Sequence, residues 1–488
     1  MIGRGWHGLA AAAAVAVGLA CQVAGAEVVD STWTVPGSGD WYALDNWTGP
    51  VPDGAGHIAR FGSYIGMSPW DRYDVRLDRD LTLGQLRYDG TDRPIRLESD
   101  DPDVPRTLTF QAGDDAAAML SVESNDQHDI TVDVELASPL HVSGDNGSAG
   151  YSGHVDFAGH FDNSQAHPLV VGGEHITLRF TGGQTWGASS TLLATDSARV
   201  VMGGMADDAP GHLGVEVTGQ AQFKTSFAGR TALESLHLAS DSAFHETGGT
   251  LVLNSPLRLK KGALGASGQI VGGIENGGGS LRTRLSGLHV DGDYVQHAGG
   301  LLNGTSFGPN LEPPGTLTVT GDVALDGTLL APASFRGMYP AVGWSFPLLE
   351  ALDGGLISGT FANIERQRLD DDAYWRIDYS DAAVRLTVSV VGDMNHDGNV
   401  DAADVSPFVL ALTDPGGYEA IHGADPAVVG DVNGDGLHDA VDVSAFVALL
   451  VGSDVGGEPA GVPEPGVGAL VTVLLLGLSR VRRRTPAC

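Results

Sequence analysis

Between Glu27 and about Val388, apolar side chains return at every second position in short runs that end in Gly, Asp, Asn or Pro. YDVRLDRDLTLGQLRYDG (73–90), RTLTFQAG (106–113), DITVDVELASPLHVSG (129–144) and EHITLRFTGG (174–183) show the pattern, with Val75 and Leu77, then Leu81 and Leu83, on one face. A period of two is the strand signature, because successive side chains leave a strand on opposite faces. Turn residues recur about every ten positions, which marks an all-β chain. No stretch of helical period interrupts it. The chain holds 70 glycines, and the pairs Gly248-Gly249, Gly272-Gly273 and Gly299-Gly300 suit tight corners. Two architectures satisfy this pattern. Tandem β-sandwiches would need roughly 100 residues each. A parallel β-helix would stack short strands, coil upon coil, around one continuous core. FHETGGTLVL (244–253) and YVQHAGGLLNG (294–304) read as echoes of one coil, although no fixed repeat length emerges.

The period changes near the end. DVSPFVLAL (404–412) and DVSAFVALL (442–450) place Val405, Phe408, Val409 and Leu412, and likewise Val443, Phe446, Val447 and Leu450, on one helical stripe. Pro407 falls in a first turn, where a missing N–H costs little. An acidic phrase precedes each helix: GDMNHDGNVDAAD (392–404) and GDVNGDGLHDAVD (430–442). Calcium takes six to eight oxygens, and a twelve-residue loop supplies them from alternate side chains and one carbonyl. The matching places are Asp393, Asn395, Asp397, the Asn399 carbonyl, Asp401 and Asp404 in the first loop. In the second they are Asp431, Asn433, Asp435, the Leu437 carbonyl, Asp439 and Asp442. Gly398 and Gly436 hold the sixth place, where the chain turns sharply. The spacing predicts two Ca²⁺ sites in a module spanning 389–453.

Charge agrees with a cation-binding role. Asp plus Glu number 61 against 27 Lys plus Arg, a net charge of −34. So acidic a surface disfavours nucleic acid and anionic membranes as partners. The two cysteines, Cys21 and Cys488, stand near the two ends of the chain, so the body has no disulfide. Arg4, the apolar run Leu9 to Leu19 and Ala24-Gly25-Ala26 read as a signal peptide over 1–26. At the other end, beyond a linker over 454–461, come Pro463-Glu464-Pro465, an apolar run from Gly466 to Leu478, and Arg480, Arg482, Arg483 and Arg484. That run is short against the roughly 20 residues of a spanning helix. Its arginines would stay on the cytoplasmic side, leaving the body outside.

Residues 462–488 resemble the PEP-CTERM sorting signal: Pro-Glu-Pro, an apolar stretch, then an arginine cluster. The resemblance implies processing by an exosortase-type enzyme, membrane contact only through a transient segment, and delivery to the cell surface, outer membrane or extracellular matrix. STWTVPGSGDWYALDNWTGPVPDGAGHIARFG (31–62) looks like the opening of autotransporter-like passenger proteins. GTLTVTGDVALDGTLL (315–330), and then Phe346 through Gly359-Thr360-Phe361 to Trp375, look like their closing coils. That likeness implies a right-handed β-helix over 27–388. Residues 390–452 resemble a type I dockerin, with duplicated loop-helix halves and Asp at the twelfth place. Dockerins bind cohesin modules, which implies a cohesin-like partner. The tenth and eleventh places here, Ala402-Ala403 and Ala440-Val441, lack the hydroxyls often used in that contact, and His438 replaces an apolar residue at the eighth.

Catalytic signals are absent. Trp33, Trp41 and Trp47 could stack on sugar rings, but a buried cap over the first coil is the stronger reading. Asp370-Asp371-Asp372 reads as a solvated turn, and the sixteen His show no zinc spacing. The expectation is a structural or adhesive surface protein; the alternative is a component that binds or degrades an extracellular polysaccharide.

Overall fold

The computed structural model describes residues 27–452, apart from 63–71, 91–92, 114–116, 125, 146–152, 204–211, 226–228, 241–242, 246–248, 305–306, 309–311, 334–339 and 371. The expected signal peptide (1–26) and the sorting segment with Pro463, Glu464, Pro465, Arg482, Arg483 and Arg484 lie outside the described residues.

The alternating runs become parallel strands wound into a β-helix with three faces. The first face is a 14-stranded sheet running from Asp30–Thr32 to Ile357–Gly359. The second starts at Gly39–Asp40 and Tyr73–Leu77 and passes through Ile95–Ser99 and Gly153–Phe157 to Asn363–Glu365. The third begins as five strands from Leu81–Leu83 to Gln184–Trp186 and resumes with Arg230–Leu233 and Thr250–Leu253. Strands Ala263–Val271 and Ser280–Asp291 turn a corner and serve both the second and third faces. Gly272 and Gly273, at φ +113° and +84°, make the next corner, a conformation that a side chain would strain.

Parallel pairing along all three faces rules out tandem sandwiches, whose sheets are antiparallel. The missing repeat also has an explanation. A residue's partner on the next coil is 17 positions on at Leu257↔Ile274 but 34 on at Val323↔Ile357. Corner loops of variable length absorb the difference while the strands keep register.

Alternation decides what is buried. In Tyr73–Leu77, Tyr73, Val75 and Leu77 point inward and Asp74 and Arg76 outward. The inward residues of all coils form one continuous apolar core. Trp33, Trp41 and Trp47 close its first end. They are buried and packed edge-on at 4.7 and 5.2 Å between ring centres, against Phe61 beneath. The Trp41 and Trp47 indoles donate to the carbonyls of Pro52 and Trp41. They are a lid and not a sugar platform. At the other end, antiparallel strands Ala373–Tyr379 and Ala383–Val390 fold back on Ser345–Ala351. This covers an edge that would otherwise template further pairing. Among the described residues, no helix is long and apolar enough to cross a membrane.

Candidate metal centre

The last strand of the body runs to Val390, and the first acidic loop follows at Gly392. Four helices then appear: α1 (Val405–Thr413), α2 (Pro415–His422), α3 (Pro426–Val429) and α4 (Asp442–Gly452). The helices expected after each loop, α1 and α4, are both present. The buried stripe differs slightly, with Ala411 and Leu410 in the core where Val409 was expected. Helices α2 and α3 occupy what the sequence reading leaves as a plain connection. Their start signals are legible: Asp414 and Asp425 accept from the backbone N–H of Gly417 and Ala427, each with proline in the first turn.

The two loops share one internal wiring. In the first, the buried Asp393 carboxylate accepts from the N–H groups of Asp397 and Gly398, at 3.2 and 3.0 Å. In the second, Asp431 accepts from Gly434, Asp435 and Gly436 at 2.8–3.0 Å. Asp404, fully buried, takes the N–H groups of Asn395 and Asp401, both at 2.9 Å; Asp442 takes those of Asn433 and Asp439, at 3.0 and 2.9 Å. Asn395, Asp397 and Asp401 accept from the N–H two residues on, as do Asn433, Asp435 and Asp439. Gly398 and Gly436 sit at φ +96° and +87°, where the sharp turn requires glycine. Thus the first and twelfth places are buried anchors, the fifth and ninth are exposed, and the third is half-buried in the first loop and exposed in the second.

Burial and mutual repulsion perturb the carboxyls of the first loop. Burial, followed by the nearby charges of Asp404 and Asp397, raises the Asp393 pKa. Burial also raises that of Asp404. The exposed Asp397 is lowered, by the Asn399 N–H and then the Asn395 amide. As placed, Asp397 turns toward those partners, and among the described residues no three His, Cys, Asp or Glu converge as a metal cluster. The donor set suits a hard cation: carboxylate, amide and carbonyl oxygens, without sulfur.

Three residues tie this module down that spacing alone does not announce. Tyr418 on α2 donates to the Met394 carbonyl at 2.9 Å, inside the first loop. Tyr374 of the body belongs to the module's apolar core, and its hydroxyl meets His396 Nδ1 at 3.2 Å. Arg368 donates to the Asp431 carbonyl and lies 3.7 Å from its carboxylate. His438 fills its apolar place by packing edge-on to Phe408 at 4.7 Å while bonding the Gly430 carbonyl. Of the acidic triplet, Asp370 accepts from the N–H groups of Asp372 and Ala373, and Asp371 lies outside the described residues. A cleft of about 980 Å³ lies between the module and the end of the β-helix, lined by Arg366, Arg368 and Arg376 and by Glu365, Glu419 and Asp425, so its charges cancel.

Comparison with known family models, characterised proteins and solved structures gives no match.

Proposed function

We propose that this chain is an exported cell-surface or matrix protein, structural or adhesive in role, whose C-terminal module takes two calcium ions. The observation that carries the reading is the duplicated wiring: both loops bury their first and last Asp and aim the same backbone N–H groups at them. The first ion would be held by Asp393, Asn395, Asp397, the Asn399 carbonyl, Asp401 and Asp404. The second would be held by Asp431, Asn433, Asp435, the Leu437 carbonyl, Asp439 and Asp442. A bound Ca²⁺ supplies positive charge that offsets the repulsion among these carboxylates. Asp393 and Asp404 hold the loop's shape, while Asn395, half-buried, and Asp397, exposed, would exchange their hydrogen bonds for the ion. Export, exosortase-type processing and surface delivery rest on the leader and the Pro463-Glu464-Pro465 segment. A cohesin-like partner is the weaker expectation, since Ala402, Ala403, Ala440 and Val441 offer no hydroxyl.

Calorimetric titration of the chain with calcium tests the reading. Two bound ions per chain are expected, one lost in Asp404→Ala and the other in Asp442→Ala. No binding at millimolar calcium, the weak end of extracellular modules at about 10⁻⁴ to 10⁻³ M, would overturn it.

A further inference from the structure

On the second face, strands Gly153–Phe157, Ile176–Phe180, Arg199–Met202 and Gln222–Thr225 are consecutive parallel neighbours. Register stacks Asp156, Arg179, Val201 and Lys224 in one outward column, and Thr177, Arg199 and Gln222 in the next. Three cations therefore come from three successive coils. With Thr181 and Val201 they line a pocket of about 260 Å³, and among the described residues no carboxylate lines it.

Several outward arginines elsewhere on the body answer acids: Arg60 pairs with Asp30 and Asp89, Arg87 with Asp89, Arg106 with Asp100, and Arg258 with Glu275. Among the described residues, Arg179 and Arg199 have no such ion pair. The acid in the column, Asp156, accepts a hydrogen bond from Thr181 at 2.8 Å and interacts with Arg179 only through space. The two arginines are also felt one coil back. The pKa of His154 is lowered by burial and then by Arg179 and Arg199.

We propose that this pocket binds carboxylate or sulfate groups of an acidic polysaccharide running along the stacked coils. The proposal names a ligand class for the adhesive role argued above and rests on that reading. Coils stack about 4.8 Å apart, so cations on three of them span roughly 10 Å. That exceeds what one small anion can bridge, and it suits a chain carrying anionic groups at intervals. Guanidinium groups bind carboxylate and sulfate through paired N–H donors, and Val201 offers apolar contact to ring C–H surface. The net charge of −34 does not forbid this, because at physiological salt the Debye length is about 8 Å and the local cluster dominates.

Affinity electrophoresis of the full chain in chelator, which removes calcium bridging, tests the proposal. The probes are polygalacturonate, dextran sulfate, neutral dextran and single-stranded DNA. Retardation by at least one acidic glycan is expected, weakened by added salt and about tenfold or more by the Arg179→Gln/Arg199→Gln double variant. The exposed, distant Arg282→Gln should change nothing. Retardation that the double variant leaves intact would overturn the site but leave an adhesive role standing. Equal retardation by neutral dextran or by DNA would overturn the ligand class. No retardation by any polymer would overturn the site and the glycan-adhesion reading together.

Discussion

Truncating Phe446 to alanine removes a fully buried ring that lies 4.1 Å from Phe408 and 4° from parallel. It is one of nine buried residues in the module's own core, which also includes Tyr374, Met394 and Tyr418. A buried Phe→Ala change costs about 3–5 kcal/mol, combining lost transfer free energy with the cavity left behind. The stacked pair accounts for about 0.5–1.5 kcal/mol of that. So small a core has little stability in reserve, and the loss should unfold α1 to α4 while the β-helix stays intact. Calcium at a hundredfold excess over its dissociation constant adds about 2.7 kcal/mol per site. Two sites would therefore roughly offset the truncation. Hydrogen exchange resolved along the chain is the assay. In chelator, Phe446→Ala should exchange rapidly over 392–452 and normally over the coils; in excess calcium, most protection should return. Phe446→Leu, which keeps most of the volume, should cost under about 1.5 kcal/mol and stay protected. If Phe446→Ala in chelator is as protected as the parent, the packing of α4 on α1 described here is wrong.

Three further outcomes follow from the coils and the junction. His128 is buried against Tyr88 with ring centres 3.9 Å apart, accepts from the Ile95 N–H, bonds Ser124, and is pushed down to about 3 by burial. Its contribution is complete above the ordinary pKa of 6.5 and is lost as pH falls from there toward 3, by up to about 1.4 kcal/mol per pH unit; the difference in urea midpoint between the parent and His128→Asn should shrink across that window. At Gly182 a Cβ would lie 1.9 Å from the Gly159 carbonyl oxygen, backbone that cannot give way, so Gly182→Ala should lower the body's melting temperature by the equivalent of about 1–3 kcal/mol. Arg368 would compete with the proposed cation for the buried Asp431, and a pair held at 3.7 Å with a half-buried arginine is taken as worth about 1 kcal/mol; in calorimetry, Arg368→Gln should tighten the second proposed calcium site up to about fivefold and leave the first unchanged.

The strands and the acidic loops were legible in the sequence because both depend on short-range spacing. Tyr73, Val75 and Leu77 show their inward face by alternation alone. Asp393 to Asp404 and Asp431 to Asp442 show their anchors by position within twelve residues. The starts of α2 and α3 were written as Asp414-Pro415 and Asp425-Pro426, though in a segment read as a plain link. Period two is common to sandwiches and β-helices, so only the pairing, parallel and coil to coil, chose between them. Corner loops that stretch a coil from 17 to 34 residues hide the repeat from any fixed-length reading. The junction was hidden for a different reason. Arg368 lies 63 residues before Asp431, and Tyr374 lies 22 before His396, so no local pattern links them. The basic pocket is likewise a product of stacking, because Arg179, Arg199 and Lys224 meet only when successive coils bring them into register. Local spacing wrote the strands and loops; long-range register alone decided which side chains from separate coils face one another.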